Sequence, residues 1–271
     1  MNIPIIVISL ETSSARRASI VAQMQAQGLE YEFLDGTTIA TVRNDPALCQ
    51  PVNDHVVRLP SGELIGGGEL ACAYSHHRVF KRLLALNAPG AMILEDDAIL
   101  KPGFAAFIED LSKIAESLKA RKVGIHCAEG YGVVPEHCVV GTRTAMSLDS
   151  GVQLSRVRRL PGQLYVTAGY YVTHASAKSL LARHPDRPDL WKLFLKERLL
   201  DEIWLARPAP VIHPDPSAIP SNVEHDRLAL RELQSSMRKP PRFRIRGKNT
   251  VKRIVGSVIA YSIDPFLRRL G

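Results

Sequence analysis

The stretch GELACAYSHHRVFKRLLALNAPGAMILEDDAIL, from Gly68 to Leu100, sets a helical and an extended pattern back to back. After Gly66-Gly67-Gly68, the residues Leu70, Tyr74, His77, Phe80 and Leu84 recur at helical spacing. A strong helix is expected there, and Asn87-Ala88-Pro89-Gly90 should stop it. Ala91-Met92-Ile93-Leu94 is then a short apolar strand that runs straight into Glu95-Asp96-Asp97. Acids at the carboxyl end of a buried strand face the ligand crevice of an open α/β sheet. The fold class is therefore expected to be α/β with a mostly parallel sheet.

Elements on either side agree with that reading. Ile3 to Leu10 is a continuous β-branched run of the kind buried on both faces of a parallel sheet, and Thr12, Ser13 or Ser14 can cap the helix that follows. That helix is expected to turn Ala18, Val21 and Met24 inward and to stop at Gly28. Tyr31 to Leu34 reads as a second strand ending at Asp35-Gly36, which completes a β-α-β unit. Downstream, a helix should begin after Pro102-Gly103 and a strand should cover Lys122 to Cys127. An irregular Gly-rich stretch is expected to about Gly162, then a strand from Leu164 to Thr173. Helices are expected from Ala175 to about His184 and from about Leu190 to Ala206, with a short strand before His213. No internal repeat is visible.

The chain of 271 residues is 45% hydrophobic, enough to bury a substantial core. The N-terminal apolar run lacks a basic flank and a small-residue cleavage site, so it is expected to be a strand rather than a signal peptide. No apolar stretch approaches the roughly 20 residues that span a bilayer. Cys49, Cys72, Cys127 and Cys138 show neither CxxC spacing nor disulfide-scaffold density, which favours a reducing cytoplasm. The net charge is +8, yet residues 238–271 alone carry ten Lys or Arg against Asp264, leaving −1 for everything before them. Two parts follow: a nearly neutral catalytic domain at 1–237 and a basic tail at 238–271. The charge argues for an anionic surface at the tail, not for nucleic acid along the whole fold.

Carboxylates packed at a strand end repel one another, and a cation between them relieves the cost. Mn²⁺ or Mg²⁺ is the natural occupant, because hard oxygen ligands suit it and it bridges nucleotide phosphates. Glu95, Asp96 and Asp97 are the candidates, with His213 as a late metal ligand. Ser75 and His76 lie on the long helix, and Arg17 could pair with a diphosphate. Asp201 and Glu202 could supply the base that deprotonates an acceptor hydroxyl.

The string from Gly68 to Leu100 resembles glycosyltransferase family 25, the lipooligosaccharide type, whose Gly-Glu-x-x-Cys-x-x-Ser-His helix precedes a Leu-Glu-Asp-Asp strand end. ISLETSSARRASI, with Arg16 and Arg17, is similar to the family's opening strand. Asp35-Gly36 resembles the end of its second strand, and Thr167 to Tyr171, followed by Ala175 and Lys178, its TAGY-type strand and helix. The resemblance covers roughly Ile3 to Asp201. It implies a GT-A-like, Rossmann-type nucleotide-sugar-binding fold. It also implies a metal-dependent inverting transfer, often of galactose or glucose, from a UDP-sugar to a glycolipid or oligosaccharide acceptor of lipooligosaccharide or lipopolysaccharide. Glu95 and Asp97 would be its DxD-like pair, and Ser9, Leu10, Arg17, Ser75, His76, Asp96 and Gly169 would line the donor site.

Rival classes are less well matched. A nucleotidyltransferase should carry a Gly-rich phosphate loop after the first strand, where ETSSARR has no glycine. A dinucleotide oxidoreductase should show GxGxxG there, and Gly66-Gly67-Gly68 is misplaced for it. A binding module without catalysis would keep the fold and lose the acids. In the tail, Val251, Ile254, Val255, Val258 and Ile259 fall on one face of a helix that begins near Lys248, Lys252 and Arg253. Such a helix suits the inner face of the cytoplasmic membrane, or else packs on the catalytic domain.

Overall fold

The computed structural model describes residues 3–130, 139–158, 167–183, 202–215, 217 and 223–237. In chain order the elements begin with β1 (Ile5–Ser9), α1 (Ser14–Ala26), β2 (Glu32–Asp35), α2 (Ile39–Arg43), β3 (Gln50–Pro51), β4 (Val56–Arg58) and β5 (Leu64–Gly66). Next come α3 (Gly67–Leu86), β6 (Gly90–Glu95), β7 (Ile99–Leu100), α4 (Phe104–Leu118), β8 (Val123–His126) and β9 (Ala128–Gly130). The remainder are β10 (Val139–Ser147), β11 (Gln153–Arg158), β12 (Gly169–Thr173), α5 (His174–Arg183), β13 (Glu202–Arg207), β14 (Val211–His213) and α6 (Glu224–Met237). The chain separates into two units between Leu230 and Arg231, and the site described below lies in the first.

The main sheet has the order β10-β11-β13-β8-β12-β6-β1-β2. From the pairings, β1, β2, β6, β8, β10 and β13 run one way, while β11 and β12 run the other. The expected mostly parallel α/β sheet is thus present, with one reversed strand, β12, at its centre. Period-two alternation divides the buried strands between two cores. Ile5, Val7, Met92 and Leu94 face Phe104, Phe107 and Leu111 of α4. Ile6, Ile8, Ala91 and Ile93 face Val79, Phe80 and Leu83 of α3 and Leu180 of α5. Each fully buried aliphatic side chain here contributes about 1.5–3 kcal/mol of transfer free energy.

A third core joins α2, β4, β5 and the start of α3 through Val42, Val57, Ile65 and Leu70. The glycine run before α3 has a physical reason. Asp226, buried in the first turn of α6, accepts the Gly68 N–H at 2.6 Å, so a distant carboxylate serves the open amides at the start of α3. A Cβ at Gly68 would lie 2.8 Å from that carboxylate oxygen and 2.8 Å from Val223. Only a glycine admits both neighbours. At the other end Asn87 takes the left-handed conformation, φ 50°, and closes the helix where the sequence pattern stops it.

Three expectations need correction. On α1 Met24 turns inward as expected and Val21 is half-buried, but Ala18 is exposed and Ile20 takes its place in the core. The stretch expected to be irregular holds β9 and the antiparallel pair β10 and β11, which extends the sheet. Residues Glu202 to Ala206 form β13 rather than the end of a helix. Ile203, Trp204, Leu205 and Ala206 are all buried, as a strand covered on both faces requires, and β13 pairs parallel with β8. The rest of the helix expected from Leu190 lies outside the described residues, as does the amphipathic segment at 251–259.

Gly90 of β6 admits no side chain, since a Cβ would sit 2.1 Å from the Tyr171 hydroxyl and 2.7 Å from the Val172 carbonyl oxygen. Gly90→Ala should therefore destabilise the protein by about 1–3 kcal/mol, the usual cost of overpacking. Urea unfolding with an unchanged m-value and a lower midpoint is the expected result.

Candidate active site

The carboxyl ends of β1, β2 and β6 meet at one edge of the sheet, since Ile8 pairs with Glu95 and Ser9 with Asp35. Glu95 closes β6, its N–H donating to Ala168 O at 3.1 Å and its carbonyl accepting from Ala98, so Asp96 and Asp97 sit in the turn that follows. Three acids in succession are held at this edge.

Each acid has different company. Asp96 is buried, accepts from the Ser9 hydroxyl at 2.7 Å and pairs with Arg16 at 3.2 Å, so both of its oxygens are occupied. Asp97 takes the same Arg16 Nη1 on one oxygen at 3.3 Å, while its other oxygen, Oδ1, is buried with no hydrogen-bond partner among the described residues. Glu95 accepts from the Thr167 hydroxyl, and its Oε1 lies 3.4 Å from Nε2 of the buried His76. His76 Nδ1 in turn is 2.7 Å from the Tyr170 hydroxyl. The chain Glu95, His76, Tyr170 links β6, α3 and β12 at one point.

The electrostatics follow from these partners. Burial alone would raise Glu95, but the contact and charge of His76, the Thr167 hydroxyl and the charge of His213 together hold it below the usual glutamate range. Asp97 goes the other way. Burial first, then the charges of Glu95 and Asp96, push it up to about 7 against the opposing pull of Arg16. Burial also pushes the Tyr170 hydroxyl and the Cys72 thiol up.

The structure brings together Ser9, His76, Glu95, Asp96 and Asp97, with His213 of β14 close enough to act on Glu95. The other expected site residues are placed differently. Arg17 spends its guanidinium on the Ser9 hydroxyl and carbonyl, Leu10 O and the Asp35 carboxylate and lies over the Phe33 ring, so it braces the strand ends and reaches the acids only through Ser9. Its neighbour Arg16 is the one that faces the acids. Leu10 takes part through its carbonyl. The Ser75 hydroxyl donates to Ala71 O and accepts the Thr37 N–H, both at 2.8 Å, which ties α3 to the chain after β2. Gly169 is a packing glycine whose Cβ would press on Val211 at 2.9 Å.

Glu202 stands at the opposite edge of the sheet. It opens β13 beside Val123 at the start of β8, a level reached by β6 near Gly90. That is five residues, roughly 16 Å, from Glu95 along the strand direction. Despite partial burial, Arg121 and Trp204 hold its carboxyl below the usual range. A low-pKa, ion-paired carboxylate on the wrong edge does not suit the role of base. Asp201 lies outside the described residues.

Arg16, Thr167 and Tyr170 are the residues that sequence reasoning left out of the site. Arg16 and Arg17 are adjacent, and a helical step of about 100° decides which one turns to the acids. Thr167 and Tyr170 are legible only in that they flank Gly169.

Carboxylates gathered at the carboxyl edge of a mostly parallel sheet, next to a reversed central strand, make this an open α/β fold whose ligand crevice lies at the acids. The model of the family described as "Glycosyltransferase family 25 (LPS biosynthesis protein)" matches residues 2–187. The chain belongs to glycosyltransferase family 25. It is 24% identical over 256 residues to the lacto-N-neotetraose biosynthesis glycosyltransferase LgtB of Neisseria meningitidis serogroup B, covering 84% of each chain. It is also 24% identical over 202 residues to a glycosyltransferase 25 family member of Aedes aegypti, covering 67% of this chain and 28% of that relative. The chain thus spans under a third of the mosquito protein. Among solved structures, a glycosyltransferase involved in glycosylation of the major capsid of PBCV-1 superposes with a TM-score of 0.39 at 11% identity, covering 84% of this chain and 98% of that one.

The raised Asp97 carboxyl has a consequence for stability. A carboxyl whose folded value lies above its ordinary 3.8 stabilises the fold at low pH and loses that contribution as pH rises through about 7. Chelator-treated protein should therefore become less stable between pH 4 and pH 8 through this group. Asp97→Asn should flatten that slope and be the more stable form at pH 8, as read by urea unfolding at both pH values.

Proposed function

We propose that the chain is an inverting hexosyltransferase that moves galactose or glucose from a UDP-sugar to a lipooligosaccharide- or lipopolysaccharide-type glycan, using Mn²⁺ or Mg²⁺ held by Glu95 and Asp97. The observation that carries this reading is Asp97 Oδ1, a buried carboxylate oxygen without a partner among the described residues, next to the ionised Glu95. Such an oxygen fits a hard cation, and so does the all-oxygen donor pair, with His213 nearby as a further ligand. A softer set, Cys72, His76 and Glu95, has ligand atoms within 4.8 Å of one another, but His76 is already engaged by Tyr170, and a thiolate donor suits softer ions than Mg²⁺ or Mn²⁺. The family name and the LgtB relative support the substrate class.

When bound, the divalent ion would supply charge neutralisation for the leaving diphosphate. The protein's own residues do the rest. His76, anchored by Tyr170, keeps Glu95 ionised and oriented. Asp96, tied to Ser9 and Arg16, serves as a brace. Arg16, which bridges Asp96 and Asp97, is the guanidinium proposed to meet a phosphate oxygen at the acids. Asp201 is proposed as the base for the acceptor hydroxyl. The basic residues 238–271 are proposed to hold the enzyme on anionic lipid at the cytoplasmic face of the membrane.

Incubation with a panel of nucleotide sugars should give hydrolysis or transfer with UDP-galactose or UDP-glucose that chelator abolishes and Mn²⁺ restores. Asp97→Ala should lower turnover by about 10²–10³-fold or more, the scale of losing a charge-stabilising group. Full activity of Asp97→Ala in excess chelator would refute the metal reading. Removing residues 238–271 should release the protein from anionic vesicles while sparing transfer to a small soluble acceptor. Binding that persists after truncation, or intact protein that ignores such vesicles at low salt, would refute the lipid role.

A further inference from the structure

A second cluster of ligating side chains lies away from the three acids. His55, His225 and Asp226 bring ligand atoms within 4.8 Å of one another. Its nearest fixed point on α3 is Gly68, eight residues before His76, or about 12 Å along that helix. Two of the three members are already set. The Asn53 carboxamide oxygen accepts the N–H of His55 at 2.9 Å and of Val56 at 2.7 Å, and the His55 carbonyl accepts the Gly67 N–H at 2.7 Å. Asp226 holds Gly68 N with one oxygen and meets His55 Nδ1 at 2.8 Å with the other. That contact puts the imidazole proton on Nδ1 and leaves Nε2 as the basic nitrogen.

His225 supplies the third. Its ring stands edge-on to that of His55, with centroids 4.3 Å apart and planes at 89°. It is exposed in the first turn of α6, and the ring contact with His55 leaves its imidazole at the surface. A carboxylate behind one histidine, with a second histidine beside it at the surface, offers two nitrogen donors and an orienting group of the kind that Zn²⁺ takes, solvent completing its four ligands. We propose that His55 and His225 bind Zn²⁺, or a cation of that class, with Asp226 as the orienting carboxylate. Nitrogens at 2.0–2.1 Å from a tetrahedral zinc stand about 3.4 Å apart, within the 4.8 Å that spans the ligand atoms here. The ion joins the start of α6 to the approach to β4 and, through Asp226, to the start of α3. Hard Mg²⁺ and Mn²⁺ favour the oxygen pair of Glu95 and Asp97, so the two sites differ in ion preference as well as place.

The test is thermal melting of chelator-treated full-length protein with stoichiometric Zn²⁺, repeated with Co²⁺ while recording its visible absorption. Zn²⁺ should raise the melting temperature, and Co²⁺ should give ligand-field bands. His225→Ala should melt as wild type without metal, weaken Zn²⁺ binding by at least about tenfold and lose the bands. Cys72→Ser should keep both responses. An absent or negative Zn²⁺ shift, an undiminished shift in His225→Ala, or loss of the response in Cys72→Ser would each overturn the assignment. None of these readouts depends on transferase activity, so their failure leaves the glycosyltransferase reading untouched.

Discussion

Three consecutive carboxylates at the end of a buried strand are the constraint that the surrounding structure answers. Like charges a few ångströms apart in a poorly solvated site repel strongly, and taking each out of water adds a separate cost. The compensation arrives from four directions: the Ser9 hydroxyl from β1, Arg16 from α1, Thr167 from the approach to β12, and His76 from α3. No one of these suffices. Asp96 is fully engaged, Glu95 is held ionised, and Asp97 remains under-compensated. The sheet order places β6 between β1 and β12, and that order lets groups so distant in sequence converge on one turn.

Much of this was legible in the chain, for reasons that differ by element. The runs in β1 and β6 are too apolar and too short to be anything but strands covered on both faces, and the periodicity of α3 together with Asn87 fixes that helix and its stop. The acids were legible because their polarity begins where the apolar run of β6 ends. What failed was decided by tertiary context. From Lys192 onward, charges recur among leucines as on an amphipathic helix, yet Ile203 to Ala206 find a place between β8 and β11 and become a strand. Ser75 and Arg17 carry suitable chemistry but are turned to structural partners, and which way a polar side chain faces is set by packing rather than by spacing.

Segment 223–227 shows how far a site's support extends beyond its recognisable sequence. The family match ends at residue 187, yet Asp226 closes on Gly68 and Arg227 pairs with Glu69 at 3.1 Å. Both contacts land on the Gly-Glu pair that opens the long helix. A part of the chain outside the family pattern thus completes the helix that carries His76, and it explains why small residues precede that helix.

The reversed strand β12 also bears on how the protein is made. It pairs on one side with residues 90–94 and on the other with residues 124–126, but it is itself residues 169–173. At a ribosomal rate of about 5–20 residues per second, the two flanking strands leave the tunnel several seconds before the strand that joins them. During that interval β6 and β8 each present an open, apolar edge of the kind that pairs with other chains. The last described strand of the sheet to arrive is β13, residues 202–207, which joins β8 to β11, so the sheet closes only once that segment has emerged.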